Sequence, residues 1–206
     1  MSSAVVPPVS FEDEALVEQA RAGDLAAFGR LASRYQDRVL NTCWRLCGQQ
    51  EDAEDLAQET FLHALEAIGT FQARSRFYTW LYRIAVNLAI SHRRKRARSV
   101  RLSLQGQDGE FVGDQAAKLV GRVSPEPQDP PARLSARETG RRLEQGLAEL
   151  DDDHRAVVVL RDIEGLDYQR IAEILEVPIG TVRSRLHRAR MELRRYLSEP
   201  GARATR

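Results

Sequence analysis

The sequence predicts an all-α protein made of two small helical domains joined by a flexible linker. Apolar residues recur at helical spacing over residues 11–98 and again over 135–197, and no alternating strand pattern competes with them. Between them, residues 99–134 are rich in Gly and Pro, as linkers are. From Leu102 to Pro131 five acidic residues outweigh two basic ones, so we expect the linker to be acidic.

The chain ends and the cysteines add further expectations. Residues 1–10 and 198–206 lack helical periodicity, and we expect a disordered N-terminus and a frayed tail. The first ten residues do not resemble a signal peptide, and no run of about 18 apolar residues exists, so we expect a cytoplasmic protein without membrane insertion. Cys43 and Cys47 lie too far apart on one helix for a disulfide, and we interpret them as small buried side chains. No histidine has ligand spacing with them, so no metal or cofactor is expected.

The net charge of +1 hides a strong segregation of charge along the chain. Glu51–Glu66 holds six acidic residues and no Lys or Arg, whereas Arg74–Arg101 holds nine basic residues and no acidic one. The pattern then repeats, with eleven acidic and six basic residues in Ser135–Glu176. Thr181–Leu197 follows with six arginines against Glu192 alone. This alternation predicts two surfaces for polyanions and two for other partners.

Three long helices are predicted in the first domain. Asp24 is a good N-cap for a helix that ends near Gly48, and the next two helices span about 51–69 and 77–98. The helix predicted at 51–69 has one apolar stripe, formed by Ala57, Phe61, Ala64, Leu65 and Ile68. Its remaining faces are polar, which leaves a surface that a partner could use.

A helix-turn-helix is predicted near the C-terminus. One helix spans Tyr168 to Leu175, residues 177–180 form a turn with Pro and Gly, and Thr181 is the expected N-cap of a second helix. The apolar seam of that helix is Val182, Leu186, Ala189, Leu193 and Leu197. Its other face carries Arg183, Ser184, His187 and Arg188, where side chains of such motifs reach base edges. Further along, we expect the arginines at 190, 194 and 195 to meet only the DNA backbone. The alternative is a helical hairpin with a solvated Arg face.

Two other segments carry patterns that suit binding. Residues 77–87 mix aromatic rings, on which unpaired bases stack, with Arg83, a cation of the kind that holds a phosphate backbone. For Trp80 the alternative is ordinary core packing. The acidic helix has one polar face with an apolar member, formed by Asp55, Gln58, Glu59 and Leu62. Acidic side chains would repel phosphate, so this face suits a protein partner. The alternative is that the face is only solvated and binds no partner.

Three segments, residues 53–61, 77–87 and 180–186, closely resemble the extracytoplasmic-function (ECF, group 4) class of the sigma-70 superfamily. The resemblance covers about residues 12–98 and 135–197. It implies a sigma-2 domain at 11–98 and a sigma-4 domain at 135–197, joined by the linker. It also implies a non-enzymatic factor that binds core RNA polymerase and directs promoter-specific transcription initiation.

The resemblance assigns roles to individual residues. The set matching the polymerase β′ coiled-coil contact is Asp55, Gln58, Glu59 and Leu62, and sigma-4 would meet the β flap. The set matching the −10 reader of promoter DNA is Arg74, Ser75, Arg76, Phe77, Tyr78, Arg83 and Asn87. The set matching the −35 reader is Thr181, Arg183, Ser184, His187 and Arg188. An anti-sigma factor is the further partner that the resemblance implies.

Other functional classes account for less of the sequence. A conventional helix-turn-helix regulator, with residues 11–98 as a sensor or dimerisation domain, leaves the acidic and aromatic-basic helices unexplained. An enzyme is disfavoured because P-loop, G-x-S-x-G and H-E-x-x-H motifs are lacking. A purely protein-binding regulator would not need the Arg183–Arg188 face. We also expect the free protein to bind DNA poorly, with the domains closed on each other or on an anti-sigma partner.

Overall fold

The computed structural model describes residues 11–72, 75–104 and 130–198. In these residues the chain forms eight α-helices and no β-strand, so the all-α prediction is confirmed. They are α1 (Phe11–Arg21), α2 (Leu25–Cys47), α3 (Gln50–Ala67), α4 (Phe77–Leu104), α5 (Pro130–Glu149), α6 (Asp152–Val158), α7 (Tyr168–Leu175) and α8 (Ile179–Ser198). A 3₁₀ turn, Ile68–Thr70, follows α3, and a π-helical turn, Val159–Ile163, follows α6.

Helix α2 is closed by local chemistry at both ends. Asp24 Oδ1 accepts hydrogen bonds from the N–H groups of Ala26 at 2.8 Å and Ala27 at 3.1 Å. At the other end Gly48 adopts φ +83°, and its N–H donates to Trp44 O at 2.8 Å. A side-chain cap of this kind stabilises a helix by about 1 kcal/mol, and a left-handed C-cap favours Gly. Both predicted ends of this helix are confirmed.

The N-terminal domain is built around α2, which packs against α1, α3 and α4. Its fully buried side chains include Leu31, Val39 and Leu81. Asp13 of α1 is also buried, and it accepts a hydrogen bond from Tyr35 Oη at 2.6 Å. Burial and the Asp13 carboxylate raise the pKa of Tyr35 above its ordinary value. This buried pair fixes α1 on α2.

Aromatic rings fill the space before and at the start of α4. The centroid of Trp80 lies 5.0 Å from that of Phe71 and 5.8 Å from that of Phe77. Phe77 also packs on Tyr35, with 5.8 Å between the centroids. Trp80 therefore packs on the core, the alternative that the sequence left open.

The C-terminal domain packs α8 against α5, α6 and α7. Asp151 accepts a hydrogen bond from His154 N at 2.8 Å, and Asp167 accepts one from Arg170 N at 2.9 Å, so both carboxylates cap helices. Helix α7 spans the predicted residues, 168–175.

Two details of α8 differ from the sequence prediction. The helix begins at Ile179, and Thr181 lies inside its first turn with its N–H donating to Pro178 O at 2.8 Å. Thr181 is therefore not the N-cap, because Pro178 already supplies the carbonyl that starts the helix. Leu197 is 37% exposed. The predicted apolar seam therefore ends at Leu193.

The predicted linker is helical at both ends. Helix α4 continues to Leu104, and α5 already begins at Pro130. Arg and Leu are strong helix formers, so α4 can continue past residue 98. Proline is tolerated in the first turn of a helix, so α5 can begin at Pro130, before the predicted start of the domain at residue 135. Residues 105–129, the N-terminal residues 1–10 and the tail from 199 lie outside the described residues. No described helix is long and apolar enough to cross a membrane.

Candidate polymerase and nucleic-acid interfaces

The acidic helix α3 presents a continuous polar stripe to solvent. All four residues predicted to bind polymerase are exposed on it, namely Asp55, Gln58, Glu59 and Leu62. Leu62 is 60% exposed although it is apolar. The opposite side of the helix, with Ala53, Leu56 and Thr60, is buried against the core. The stripe thus combines negative charge with one exposed leucine on a rigid element.

The segment predicted to read the −10 element is only partly accessible. Arg76 and Asn87 are exposed, whereas Ser75 and Arg83 are half-buried. Arg74 lies outside the described residues. Two aromatic side chains of the predicted set are buried, Phe77 at 6% exposure and Tyr78 at 4%. In this arrangement their ring faces are not available for a base to stack on. The former packs in the core of its own domain, and the latter is covered by the C-terminal domain.

The recognition face of α8 is open. Arg183, Ser184, His187 and Arg188 are exposed. Thr181 is half-buried, and its carbonyl accepts a hydrogen bond from Ser184 Oγ at 3.0 Å. The sequence placed these side chains together on one face, and the helix keeps them there.

Two other arginines of α8 are engaged within their own domain. Arg190 pairs with Asp162, with 3.0 Å between Nε and Oδ2. Arg185 pairs with Asp153, with 2.6 Å between Nη2 and Oδ2. The cationic face that a ligand can use is therefore narrower than the run of arginines suggested.

A buried carboxylate joins the two domains. Glu164, in the turn before α7, is 8% exposed and inserts against α2 and α4. It accepts hydrogen bonds from Tyr82 Oη at 2.8 Å, Thr42 Oγ1 at 3.1 Å and Arg38 Nη2 at 3.2 Å. Burial and this carboxylate raise the pKa of Tyr82 well above its ordinary value, so the phenol stays a donor. Three donors satisfy an anion that would otherwise be strongly disfavoured inside the protein.

An arginine makes a second buried contact between the domains. Arg155 of α6 is 2% exposed, and its Nη1 donates to Leu46 O at the end of α2, at 2.8 Å. Burial lowers the pKa of Arg155 to about 10, which still leaves it charged at neutral pH. A cation at the C-terminal end of a helix also complements the helix dipole.

Helix α4 supplies further contacts through its cations. Arg83 Nη2 donates to Glu173 O at 2.7 Å, and its Nη1 lies 3.1 Å from Glu176 Oε1. Arg93 Nη1 lies 2.8 Å from Asp152 Oδ1. Sequence reasoning predicted basic and acidic segments but missed that they pair with each other. The alternation of two acidic and two basic segments was the available signal.

The cysteines lie in the N-terminal domain. Cys43 is buried and Cys47 is half-buried, and both are free thiols. Burial raises the pKa of Cys43 to about 12, so its thiol stays protonated at neutral pH. Among the residues that the structure describes, no His, Cys, Asp and Glu side chains gather as a metal site.

Comparison with known proteins bears directly on these surfaces. A family model described as Sigma-70 region 2 matches residues 31–99, and one described as Sigma-70, region 4 matches residues 140–193. The RNA polymerase sigma-H factor of Pseudomonas aeruginosa is 39% identical over 181 residues, which cover 87% of this chain and 90% of the relative. The chain belongs to the ECF sigma factors. It is therefore a non-enzymatic factor for promoter-specific transcription initiation.

Other relatives agree with this assignment. The ECF RNA polymerase sigma factor SigW of Bacillus subtilis is 34% identical over 183 residues, covering 89% of this sigma factor and 95% of the relative. A solved structure of the sigma factor RpoE of Bartonella quintana, in complex with the anti-sigma factor NepR, superposes with a TM-score of 0.62. That pair is 28% identical, and the match covers 84% of this chain and 98% of the other. The N-terminal domain is thus sigma-2 and the C-terminal domain sigma-4.

Proposed function

We propose that this sigma factor binds core RNA polymerase through the stripe on α3, reads the −10 element with α4 and its preceding loop, and reads the −35 element with α8. The observation that carries the proposal is the separation of charge onto different rigid helices. Negative charge lies on α3, and exposed cations lie on α8, at Arg76 just before α4, and in the second half of α4. The acidic surface on α3 suits a basic protein partner, and the cationic surfaces suit the phosphates of DNA.

The α3 stripe suits a protein partner because it has no cation to hold phosphate. Exposed Leu62 gives it an apolar centre, and the carboxylates of Asp55 and Glu59 can pair with a basic protein surface. By family resemblance that surface is the β′ coiled coil, and sigma-4 meets the β flap.

The variant Asp55→Ala/Glu59→Ala tests the polymerase surface. We expect it to weaken capture of core polymerase strongly while helix content stays that of the wild type. Asp37→Ala/Glu14→Ala is the matched control, since it removes two exposed carboxylates of sigma-2 that lie on α2 and α1 and not on α3. If both variants capture core polymerase equally well, the assignment of the α3 stripe as the polymerase surface is wrong.

The DNA surfaces are assigned by exposure and side-chain type. On sigma-2, Arg76 and Asn87 are the accessible candidates at the −10 element. On sigma-4, Arg183 and Arg188 can each pair bidentately with a guanine in the major groove. Run-off transcription with core polymerase on a promoter library tests both surfaces, because it reports base preference at every position. A library without preferred positions would contradict the proposal.

An anti-sigma factor is the third proposed partner, after core polymerase and promoter DNA. The RpoE structure that this chain resembles is a complex with an anti-sigma factor, which supports a partner of that class here. Exposed apolar side chains, Leu25 at 70% and Met191 at 59%, add surface that such a partner could cover. Affinity capture from the source cells, with the Leu25→Ser/Met191→Ser variant as control, would identify it. We expect the wild type to capture one specific protein that the variant does not capture.

A further inference from the structure

We propose that the ring of Tyr168 positions the guanidinium of Arg183 for base recognition at the −35 element. The inference rests on the proposed role of α8 as the −35 reader. Tyr168 is then a positioning residue for sequence preference, although it lies on α7, the first helix of the helix-turn-helix, where it follows the N-cap Asp167.

Two guanidinium groups lie over this one ring. The Cζ of Arg161, in the turn after α6, lies 4.9 Å from the ring centroid of Tyr168. The Cζ of Arg183, in the first turns of α8, lies 5.8 Å from the same centroid. Both distances fall within about 6 Å, the range in which the electron-rich face of an aromatic ring attracts a cation. The ring therefore connects the reading helix to the two elements that precede it.

The ring itself is held in place. Tyr168 is half-buried and packs on the core. Its helix is capped by Asp167, whose Oδ1 accepts a hydrogen bond from Arg170 N at 2.9 Å. Arg161 Nη1 donates to Leu166 O at 2.7 Å, so one guanidinium on the ring is tied to the backbone just before α7. A ring fixed in this way gives Arg183 a stable platform.

The contact leaves the hydrogen-bond donors of Arg183 available. Arg183 is exposed, and in the part of the chain that the structure describes no carboxylate pairs with it. Arg185 and Arg190 on the same helix are paired with Asp153 and Asp162. An aromatic face attracts a guanidinium without accepting a hydrogen bond from each of its N–H groups, as a carboxylate would. The fork that pairs bidentately with guanine therefore stays free.

The platform should matter for sequence preference more than for overall affinity. An exposed arginine has many rotamers and loses that freedom when it pairs with a base. Without the ring, the guanidinium of Arg183 could also turn to a neighbouring phosphate, a contact that carries no sequence information. A ring that holds the side chain over one place in the groove reduces both losses.

Two substitutions of Tyr168 separate its ring face from its hydroxyl. Tyr168→Leu removes the face, whereas Tyr168→Phe keeps it. Holoenzyme is assembled with each variant, and run-off transcription of a promoter library with a randomised −35 element measures preference at every position. Arg183→Ala identifies the position that Arg183 reads. At that position we expect Tyr168→Leu to lower the preference about two- to fivefold, as the loss of an exposed cation–π contact would. Tyr168→Phe should keep the preference of the wild type.

Two controls distinguish positioning from a structural role. Tyr196→Leu removes another half-buried ring of sigma-4, one that lies against Gly146 of α5, and should leave the −35 profile unchanged. In the Arg183→Ala background, Tyr168→Leu should have no further effect at the position concerned, because the side chain that the ring holds is already gone.

Several results would overturn the proposal. An unchanged profile in Tyr168→Leu would do so, and an equal loss at all −35 positions would mean that the ring only supports the fold of sigma-4. An equal loss in Tyr168→Phe would assign the effect to the hydroxyl, and additive effects in the double variant would show that the ring does not act through Arg183. If Tyr168→Leu loses helix content by circular dichroism, Tyr168→Gln, which keeps a long side chain without a ring, decides in its place.

A failure of this inference can be told from a failure of the proposed function. Arg183→Ala tests Arg183 as a base reader whatever Tyr168 does. If that variant flattens one −35 position while Tyr168→Leu leaves the same position unchanged, only the inference fails. If Arg183→Ala leaves every position unchanged, the assignment of Arg183 to the −35 element itself fails.

Discussion

The two helices proposed to face promoter DNA differ in what covers them. Helix α8 presents Arg183, Ser184, His187 and Arg188 to solvent. Helix α4 carries seven basic residues against six on α8, yet Arg83 and Arg93 of α4 are paired with sigma-4. A basic segment is therefore not the same as an available DNA surface, because a chain that also carries acidic segments can satisfy its own charges. The predictions below test that distinction.

Replacement of Glu164 by Ala should have the largest effect. The variant leaves Arg38 and Tyr82 without their shared acceptor at the domain boundary, so we expect the interface to lose about 2–4 kcal/mol. Both tryptophans, Trp44 and Trp80, lie in sigma-2, so fluorescence follows that domain alone. Circular dichroism follows the helices of both domains.

Urea unfolding can then be followed by both signals. We expect coincident transitions in the wild type and separate ones in Glu164→Ala, because the domains no longer unfold as one unit. Asp162→Ala is the control, since its partner Arg190 lies in the same domain. Coincident transitions with an unchanged midpoint in Glu164→Ala would mean that the carboxylate does not couple the domains.

Replacement of Arg188 by Ala should change sequence preference at the −35 element. A bidentate arginine–guanine pair discriminates by about 1–3 kcal/mol, so preference at one or two positions should flatten. Run-off transcription of a promoter library measures it. Arg185→Ala is a matched control on the same helix, because Arg185 is already paired with Asp153 and half-buried. Identical preference profiles for the two variants would remove Arg188 from base recognition.

Replacement of Asn87 by Ala should act on the −10 element instead. Asn87 is exposed on α4 and uncharged, so its loss leaves backbone electrostatics unchanged. We expect preference for one −10 base to fall by about 1 kcal/mol, the value of one hydrogen bond. Ser99→Ala, an exposed polar change further along α4, should leave the profile alone. A uniform loss of activity without a change of preference would instead indicate contact with the DNA backbone.

The parts of this molecule that sequence predicted well are those fixed by neighbouring residues. The ends of α2 depend on Asp24 and Gly48, and the bounds of α7 depend on Asp167 and the turn that follows it. The start of α8 was misplaced because a threonine at position 181 is a good cap by type, but Pro178 had already begun the helix.

Contacts between residues that are far apart in the sequence could not be predicted from neighbouring residues. The hydrogen bond from Thr42 to Glu164 joins residues 122 positions apart, and it depends on where two domains settle. For the same reason the burial of Tyr78 was not predicted, since the covering helix α7 comes from the other domain. Two acidic residues, Asp162 and Glu164, interrupt the largely apolar stretch 156–166, and Glu164, which is flanked by Ile163 and lies near Leu166, was the available hint of the contact.

The smallest predicted effect separates two arginines of the same helix. Arg194 is exposed, so its replacement by Ala should weaken binding to all promoter sequences alike and lower the salt dependence of binding by about one counterion. Arg190 is already neutralised by Asp162, with 3.0 Å between Nε and Oδ2. It must leave that carboxylate before it can replace a counterion on DNA, so Arg190→Ala should lower the salt dependence less than Arg194→Ala. Equal slopes of log affinity against log salt for the two variants would mean that the Asp162 pair opens freely. Pairing within sigma-4 would then not limit the DNA surface of α8.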